Sequence, residues 1–475
     1  MQFHSPIFCI KYSVLRYVDQ FKLNELMRRF ASFFFYQVSN TDCHHMISPK
    51  LKHQQLEYPQ KHLISSIQLI IMKHKTLPII LSLLVFVCEQ TNTATAQTNL
   101  ADFKLRFAKM ENDNLDKQYE GVITSKGIEK GLFSIHSTGI TTKPVKKAAE
   151  TFLKSLTKLQ QAKIQFKIDD QEWQKWCNVD NGLYSRQGVS LKEMSQEQRK
   201  LAFELMQKAL SAKGLQLSKD IMKTDQTLRE LNDNNPIYDE ELYFFTVMGD
   251  PSTTEPWGWQ IDGHHLVINY FILGDQVVMT PVFMGGEPIV TTSGKYKGNV
   301  IFQDEQNIGL KFMQTLSADQ QKQAILSEDK KRNDIQAEAF SDNKTLDFQG
   351  LIATSLTEEQ KVKLLDLTNQ YISNMEDGHA RVTMEDIKKH LDNTWFAWVG
   401  KSDDNAVFYY RIHSPVILIE FDHQGPVGIK GQGNAPTRNH IHSIVRTPNG
   451  NDYGKDLLKQ HLLQHHSNGD AKEGQ

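Results

Sequence analysis

The chain has 475 residues, of which 39% are hydrophobic and 23% charged, and 54 Lys+Arg stand against 56 Asp+Glu for a net charge of −2. That balance provides no basic footprint, so nucleic acid is not an expected partner. The length is ample for a large core in one domain or two closely joined ones.

Residues 72–97 read MKHKTLPIILSLLVFVCEQTNTATAQ. Lys73 and Lys75, the apolar run from Leu77 to Val87 and the Ala94-x-Ala96 site predict a secretory signal peptide over 72–96, cleaved before Gln97. The run falls short of the roughly 20 apolar residues a bilayer span needs. Residues 1–71 are rich in aromatics and histidine without periodicity, and read as an upstream extension with Met72 as the true start. Val87 stands where lipoprotein processing wants a small residue, which argues against lipidation of Cys88. The mature domain, 97–475, is therefore expected in the periplasm or secreted, with no membrane span left after signal removal. It would carry 44 Lys+Arg against 51 Asp+Glu, net −7, and a single thiol, Cys177. No internal disulfide is then available.

Three later segments begin with capping boxes: Ser195 with Gln198, Ser317 with Gln320, and Thr357 with Gln360. Apolar stripes follow, such as Leu201, Ala202 and Leu205, or Leu364 and Leu365. The recurrence is read as independent good caps rather than duplication. Strand signals fall in two blocks, 257–288 with a hairpin turn at Leu273-Gly274-Asp275, and about 395–446. Residues 289–355 read as a connecting helical segment with loops. The fold class expected is α+β, antiparallel sheet elements with N-capped helices packed around them.

The segments GHHLVINY, TPVFMGGEP, FAWVG, FYYRIHSPVILIEFD and NHIHSIVRTPNGNDYGKDLLKQH occur in this order. Together they make the chain similar to the bacterial domain of unknown function family 3500, over about 145–465. Two departures stand out: Val445, where the family has an aromatic, and a long loop from Gly425 to Arg438. The resemblance implies a fold unit and no activity.

Candidate chemistry comes from the residues. His440 and His442 alternate on a predicted strand and share a face. As strand neighbours, His264 and His265 would face opposite ways unless Gly263 forms a bulge, so one of them could join the pair. Three imidazoles with an open position suit zinc first, then copper or iron. Glu420, in an apolar run, is the candidate ligand or general base. Arg411, on one face with Tyr409 and His413, is the candidate holder of an anionic group. His413 completes the catalytic set. The competing reading has the histidines satisfying buried polar groups, with Arg411 and Glu420 paired. Cys177, the three tryptophan pairs and the turn-like FMGGEP read as core, packing and a tight turn.

The function expected is an exported metal-dependent enzyme, a hydrolase of a small anionic or polar substrate. The alternatives are a non-catalytic periplasmic binding protein for a small anionic or carbohydrate ligand, and a structural envelope protein.

Overall fold

The computed structural model describes residues 100–466. The chain divides between Cys88 and Glu89, and all described residues belong to the second unit. The expected extension 1–71 and signal peptide 72–96 lie outside the described residues.

After a helix over 100–115, the first group of elements is α1 (Lys143–Ser155), α2 (Lys158–Ile164), β1 (Gln165–Phe166), β2 (Val189–Ser190), α3 (Gln196–Ala209) and α4 (Ala212–Leu231). Its strands continue as β3 (Tyr243–Met248), β4 (Trp257–Gly263), β5 (Leu266–Leu273), β6 (Gln276–Val278) and β7 (Val282–Gly286). The second group opens with α5 (Gln303–Thr315), α6 (Ala318–Ala324), β8 (Ile325–Ser327), β9 (Leu351–Ile352), α7 (Glu358–Ile372) and α8 (Asp377–Lys389). It ends with β10 (Trp395–Gly400), β11 (Phe408–His413), β12 (Leu418–His423), β13 (Ile441–Arg446) and α9 (Lys455–His466).

The fold is α+β. All the strands form one sheet in the order β1-β3-β4-β5-β7-β13-β12-β11-β10-β8, with β2 on β3, β6 on β5 and β9 on β10. Among the strands of the described residues, only β1–β3 and β8–β10 pair in parallel. The hairpin at Gly274-Asp275 joins β5 to β6, as its turn residues predict. Strand β3 lies outside both predicted strand blocks.

The sheet order reads the same from either end, and the recurrent caps follow the same symmetry. Gln160 and Gln198 exchange side-chain amide bonds at 2.9 and 3.3 Å, and Gln320 and Gln360 exchange theirs at 2.9 Å. Each pair locks the start of a short helix to the start of a long one. Gly188 and Gly350 take matching left-handed conformations (φ 86° and 96°), and a Cβ on either would stand 2.2 Å from the carbonyl of Phe245 or Phe396. Four of the five capping boxes among the described residues fall in two equivalent pairs, which replaces the reading of independent caps: the fold is an internal repeat. Its fourth box, Thr157 with Gln160, was visible as LTKLQQ beside LSADQQ at 316–321.

The helices bury one face of the sheet, where Phe152, Trp259, Tyr270, Trp398, Tyr410 and Phe421 pack. The other face carries a smaller cluster including Trp173, Trp176, Phe283 and Ile444. Among the described residues, no helix is long and apolar enough to cross a membrane.

Candidate metal centre

Gly263 pairs with Leu266, so His264 and His265 form the two-residue turn between β4 and β5. They are turn residues, not strand neighbours, so strand alternation does not set where their nitrogens point. Their rings stack with centroids 3.8 Å apart. His265 has φ 64°, a left-handed conformation uncommon for a side chain-bearing residue and often found where function demands it. No bulge is needed at Gly263; a Cβ there would fall 2.2 Å from the Tyr243 ring. The room it leaves lets the Tyr243 hydroxyl reach Asp225 Oδ2 at 2.7 Å and the His264 carbonyl at 2.8 Å. His264 Nδ1 contacts Asp225 Oδ1 at 2.6 Å. Helix α4, through Asp225, thus fixes the turn.

His265 turns its Nε2 the other way, to 3.3 Å from His440 Nε2. His440 Nε2 in turn lies 3.0 Å from His442 Nε2. All three rings are buried. The His440 Nδ1 proton donates to the Gly425 carbonyl at 2.7 Å; a carbonyl only accepts, so His440 Nε2 is a bare lone pair when the ring is neutral. Burial holds His440 and His442 down to about 3, so both are neutral at pH 7. His442 Nδ1 contacts Glu338 Oε1 at 2.6 Å. Burial pushes Glu338 up to about 8. Protonated, Glu338 donates to Nδ1, and His442 can then bond His440 through Nε2–H. Ionised, it accepts from Nδ1–H and leaves two Nε2 lone pairs aimed at one point, the arrangement a cation requires. His265 Nδ1 is buried and has no hydrogen-bond partner among the described residues.

Among the described residues, two overlapping sets of buried groups could hold a metal ion: His265, His440 and His442, and Asp225, His264 and His265. The first set matches tetrahedral coordination, since metal–nitrogen bonds of about 2.0–2.1 Å separate ligand nitrogens by about 3.3 Å.

The surroundings are built around this convergence. Gly285 lies opposite His442 in the β7–β13 pair. A Cβ on Gly285 would meet His442 Cδ2 at 3.1 Å and His265 Cδ2 at 3.3 Å. FMGGEP is therefore the end of a strand that makes space for two imidazoles, and not the tight turn its glycines suggest. Glu287 accepts from the amides of Val427 and Gly428, with the shorter contact 2.7 Å. It thereby pins the loop whose Gly425 carbonyl orients His440.

Glu420 plays a different part from the ligand or base the sequence suggests. It is fully buried, and its oxygens accept from Gln336 N at 3.1 Å, Ala337 N at 2.8 Å and the Tyr409 hydroxyl at 2.5 Å. Asp422 accepts from Asp334 N at 2.9 Å. Arg446 donates to the carbonyls of Ala337 and Glu338 at 2.7 and 3.0 Å. These three side chains hold the 333–342 segment down so that Glu338 meets His442. Arg411 stands opposite Glu420 in register, but its Nη2 donates to Gln349 at 2.9 Å, and it is buried away from any cleft. His413 is buried against Phe348 with ring centroids 4.6 Å apart, and burial pulls it down to about 3. Among the described residues, Glu420, Arg411 and His413 make no hydrogen bond to the histidine cluster. Asp225, Tyr243, Gly285, Glu287 and Glu338 were missed. Only the glycine pair left a mark in the sequence, and that mark was ambiguous.

Cys177 is buried and its thiol is pushed up to about 12 by that burial, which keeps it inert at neutral pH. Five of the six tryptophans are fully buried and serve as packing.

A family model described as a protein of unknown function (DUF3500) matches residues 138–455. The chain belongs to this family. The match takes in both repeats and every histidine of the cluster, so the sheet and the centre lie inside the family unit. No curated protein and no solved structure matches the chain.

Proposed function

We propose that the protein is an exported metal-dependent enzyme, a hydrolase of a small polar substrate, with zinc held by His265, His440 and His442. The observation that carries this reading is the convergence of three imidazole Nε2 atoms at 3.0 and 3.3 Å. Three nitrogen donors without a thiolate suit zinc first, then copper or iron. A zinc with three protein ligands keeps a fourth position for water and lowers its pKa to about 7, which is the chemistry of hydrolysis. Glu338, with 26% of its side chain exposed, marks the accessible side of the cluster and orients His442. Asp225, Glu287 and Glu338 surround the rings, while Arg411 is engaged elsewhere. This favours a neutral or cationic polar substrate over an anionic one. Export rests on Lys73, the Leu77–Val87 run and Ala94-x-Ala96, supported by the single thiol of the mature chain.

Metal analysis of the purified full chain tests the centre. One equivalent of zinc per chain is expected, and His440→Ala and His442→Ala should each lose it while keeping the folded circular-dichroism spectrum. A folded wild-type protein without metal, or full occupancy in both variants, sinks the reading. Protein from the native periplasm should begin at Gln97; one that retains residues 1–71 overturns the export assignment.

A further inference from the structure

The repeat gives the histidine cluster an image at the opposite end of the β7–β13 pair. Strand registers match Trp259 and Tyr270 of the first repeat to Tyr410 and Phe421 of the second, and Val282 to Val445. Carried along the chain, these matches put Val416 where the other repeat has His265. The β5–β6 ladder, with Gln276 opposite Leu273 and Val278 opposite Phe271, puts Gln276 and Val278 at the counterparts of His440 and His442. All three image residues line one cavity of about 270 Å³. Where one end of the seam gathers three imidazoles, none of the three counterparts at the other end is ionisable.

The cavity has the character of a ligand site. Its volume approaches the range of small-molecule pockets, about 300–1,000 Å³. Met279, Met284 and Met375 supply flexible, adaptable walls. Asn374 also lines it and is 4% exposed. Its Nδ2 rests against Met284 Sδ at 3.7 Å. Its Oδ1 is buried with no hydrogen-bond partner among the described residues. A buried acceptor left unmet is costly, and a donor brought by a ligand would satisfy it. Glu305 and Asp386 lie on the same lining, and Lys213 stands 3.5 Å from Glu305. Lys389, also on the lining, pairs with Asp386 at 2.7 Å, so each carboxylate is matched by an ammonium and the choice of head group rests on the Asn374 acceptor.

We propose that this cavity binds an apolar, chain-like alcohol or primary amine whose head donates a hydrogen bond to Asn374 Oδ1. The site is separate from the histidine centre and does not depend on metal there.

Isothermal titration of the full chain with 1-octanol, octylamine and octanoate tests it. One octanol or octylamine per chain is expected, with octanoate at least about tenfold weaker for want of a donor. Val382→Trp, at a half-buried wall position on α8, should fill the cavity and abolish binding; Thr383→Trp on the same wall serves if Val382→Trp fails to fold. Asn374→Leu should weaken octanol by about tenfold through loss of the acceptor. Metal content, measured on the same samples, should stay that of wild type in the cavity variants, so the two proposals fail separately. No saturable binding of octanol or octylamine, binding that survives a folded wall-filling variant, or equal affinity for octanoate overturns the inference.

Discussion

Replacing Glu420 with glutamine separates an anchor from a catalytic group. The carboxylate is fully buried. Oε2 accepts from Ala337 N at 2.8 Å and Gln336 N at 3.1 Å, and Oε1 accepts from Tyr409 Oη at 2.5 Å. A glutamine keeps one carbonyl oxygen, which must stay on Ala337 because an amide N–H cannot reverse. Its NH₂ then faces Tyr409, whose hydroxyl can rotate to accept. What is lost is the charge assistance on the backbone bonds, about 1.5–3 kcal/mol for a charged acceptor against about 1 for a neutral one. Burial raises the Glu420 pKa, which favours the lower end, so Glu420→Gln should cost about 1–2 kcal/mol. Glu420→Ala leaves two amides and a hydroxyl unmet and should cost about 3–5 kcal/mol. Urea unfolding measures both. Because Gln336 and Ala337 immediately precede Glu338, zinc affinity by chelator competition should also fall, by about 10–100-fold, the usual effect of disturbing a partner of a ligand. A glutamine variant with wild-type stability and wild-type metal affinity would refute the anchoring role.

Gly285→Ala should cut metal occupancy, because its methyl would meet the Ile441 carbonyl at 2.8 Å and crowd both His265 and His442; unchanged metal content at wild-type affinity would contradict the close approach. His265→Ala should abolish stoichiometric zinc, whereas His264→Ala, whose ring faces Asp225, should weaken it by about tenfold; equal losses would favour the alternative set of Asp225, His264 and His265. Glu172 is buried, and burial raises it from 4.5 to about 8. Its folded pKa exceeds its unfolded value, so its contribution to stability is fully present below about pH 4.5 and is lost as pH rises through about 8. The loss is bounded at about 5 kcal/mol. Glu172→Gln should therefore flatten the fall in melting temperature between pH 5 and pH 9 (pH values about two steps either side of neutrality), and an unchanged slope would show that Glu172 is not its source.

Periodicity and caps made the α+β class legible, because a helix start and an alternating strand are local patterns. Strand β3 escaped because YFFTVM is buried on both faces and shows no alternation. His440 and His442 were legible as a pair for the same local reason. The choice of His265 over His264 was not, since it depends on a turn, a left-handed φ and an aspartate from α4. Glu420 misled because a carboxylate in an apolar run signals burial and a partner without saying which. The sequence pointed to a cation or a base, and the partners proved to be the Tyr409 hydroxyl and backbone amides 83 and 84 residues away. Glu338 gave no signal at all; an acidic residue in a polar loop acquires meaning only when the loop is fastened over the sheet.

The centre also depends on the seam between the repeats. His265 comes from the β4–β5 turn of the first, and His440 and His442 come from the entry to β13 in the second. The β7–β13 ladder, from Ile441 opposite Gly286 to Val445 opposite Val282, sets their relative position, and the Gly285 amide adds a bond to the His265 carbonyl at 2.8 Å. Side chains alternate along a strand, so a one-residue slip there would turn His442 to the opposite face and bring Ile441 or Ser443 beside Gly285. The glycine opposite His442 works against that slip: in the native register it receives the imidazole edge, and in any other it leaves a gap. The seam that joins the repeats and the cluster that breaks their symmetry are thus specified by the same pairing. A single repeat contains neither all three histidines of the cluster nor the strand pair that aligns them.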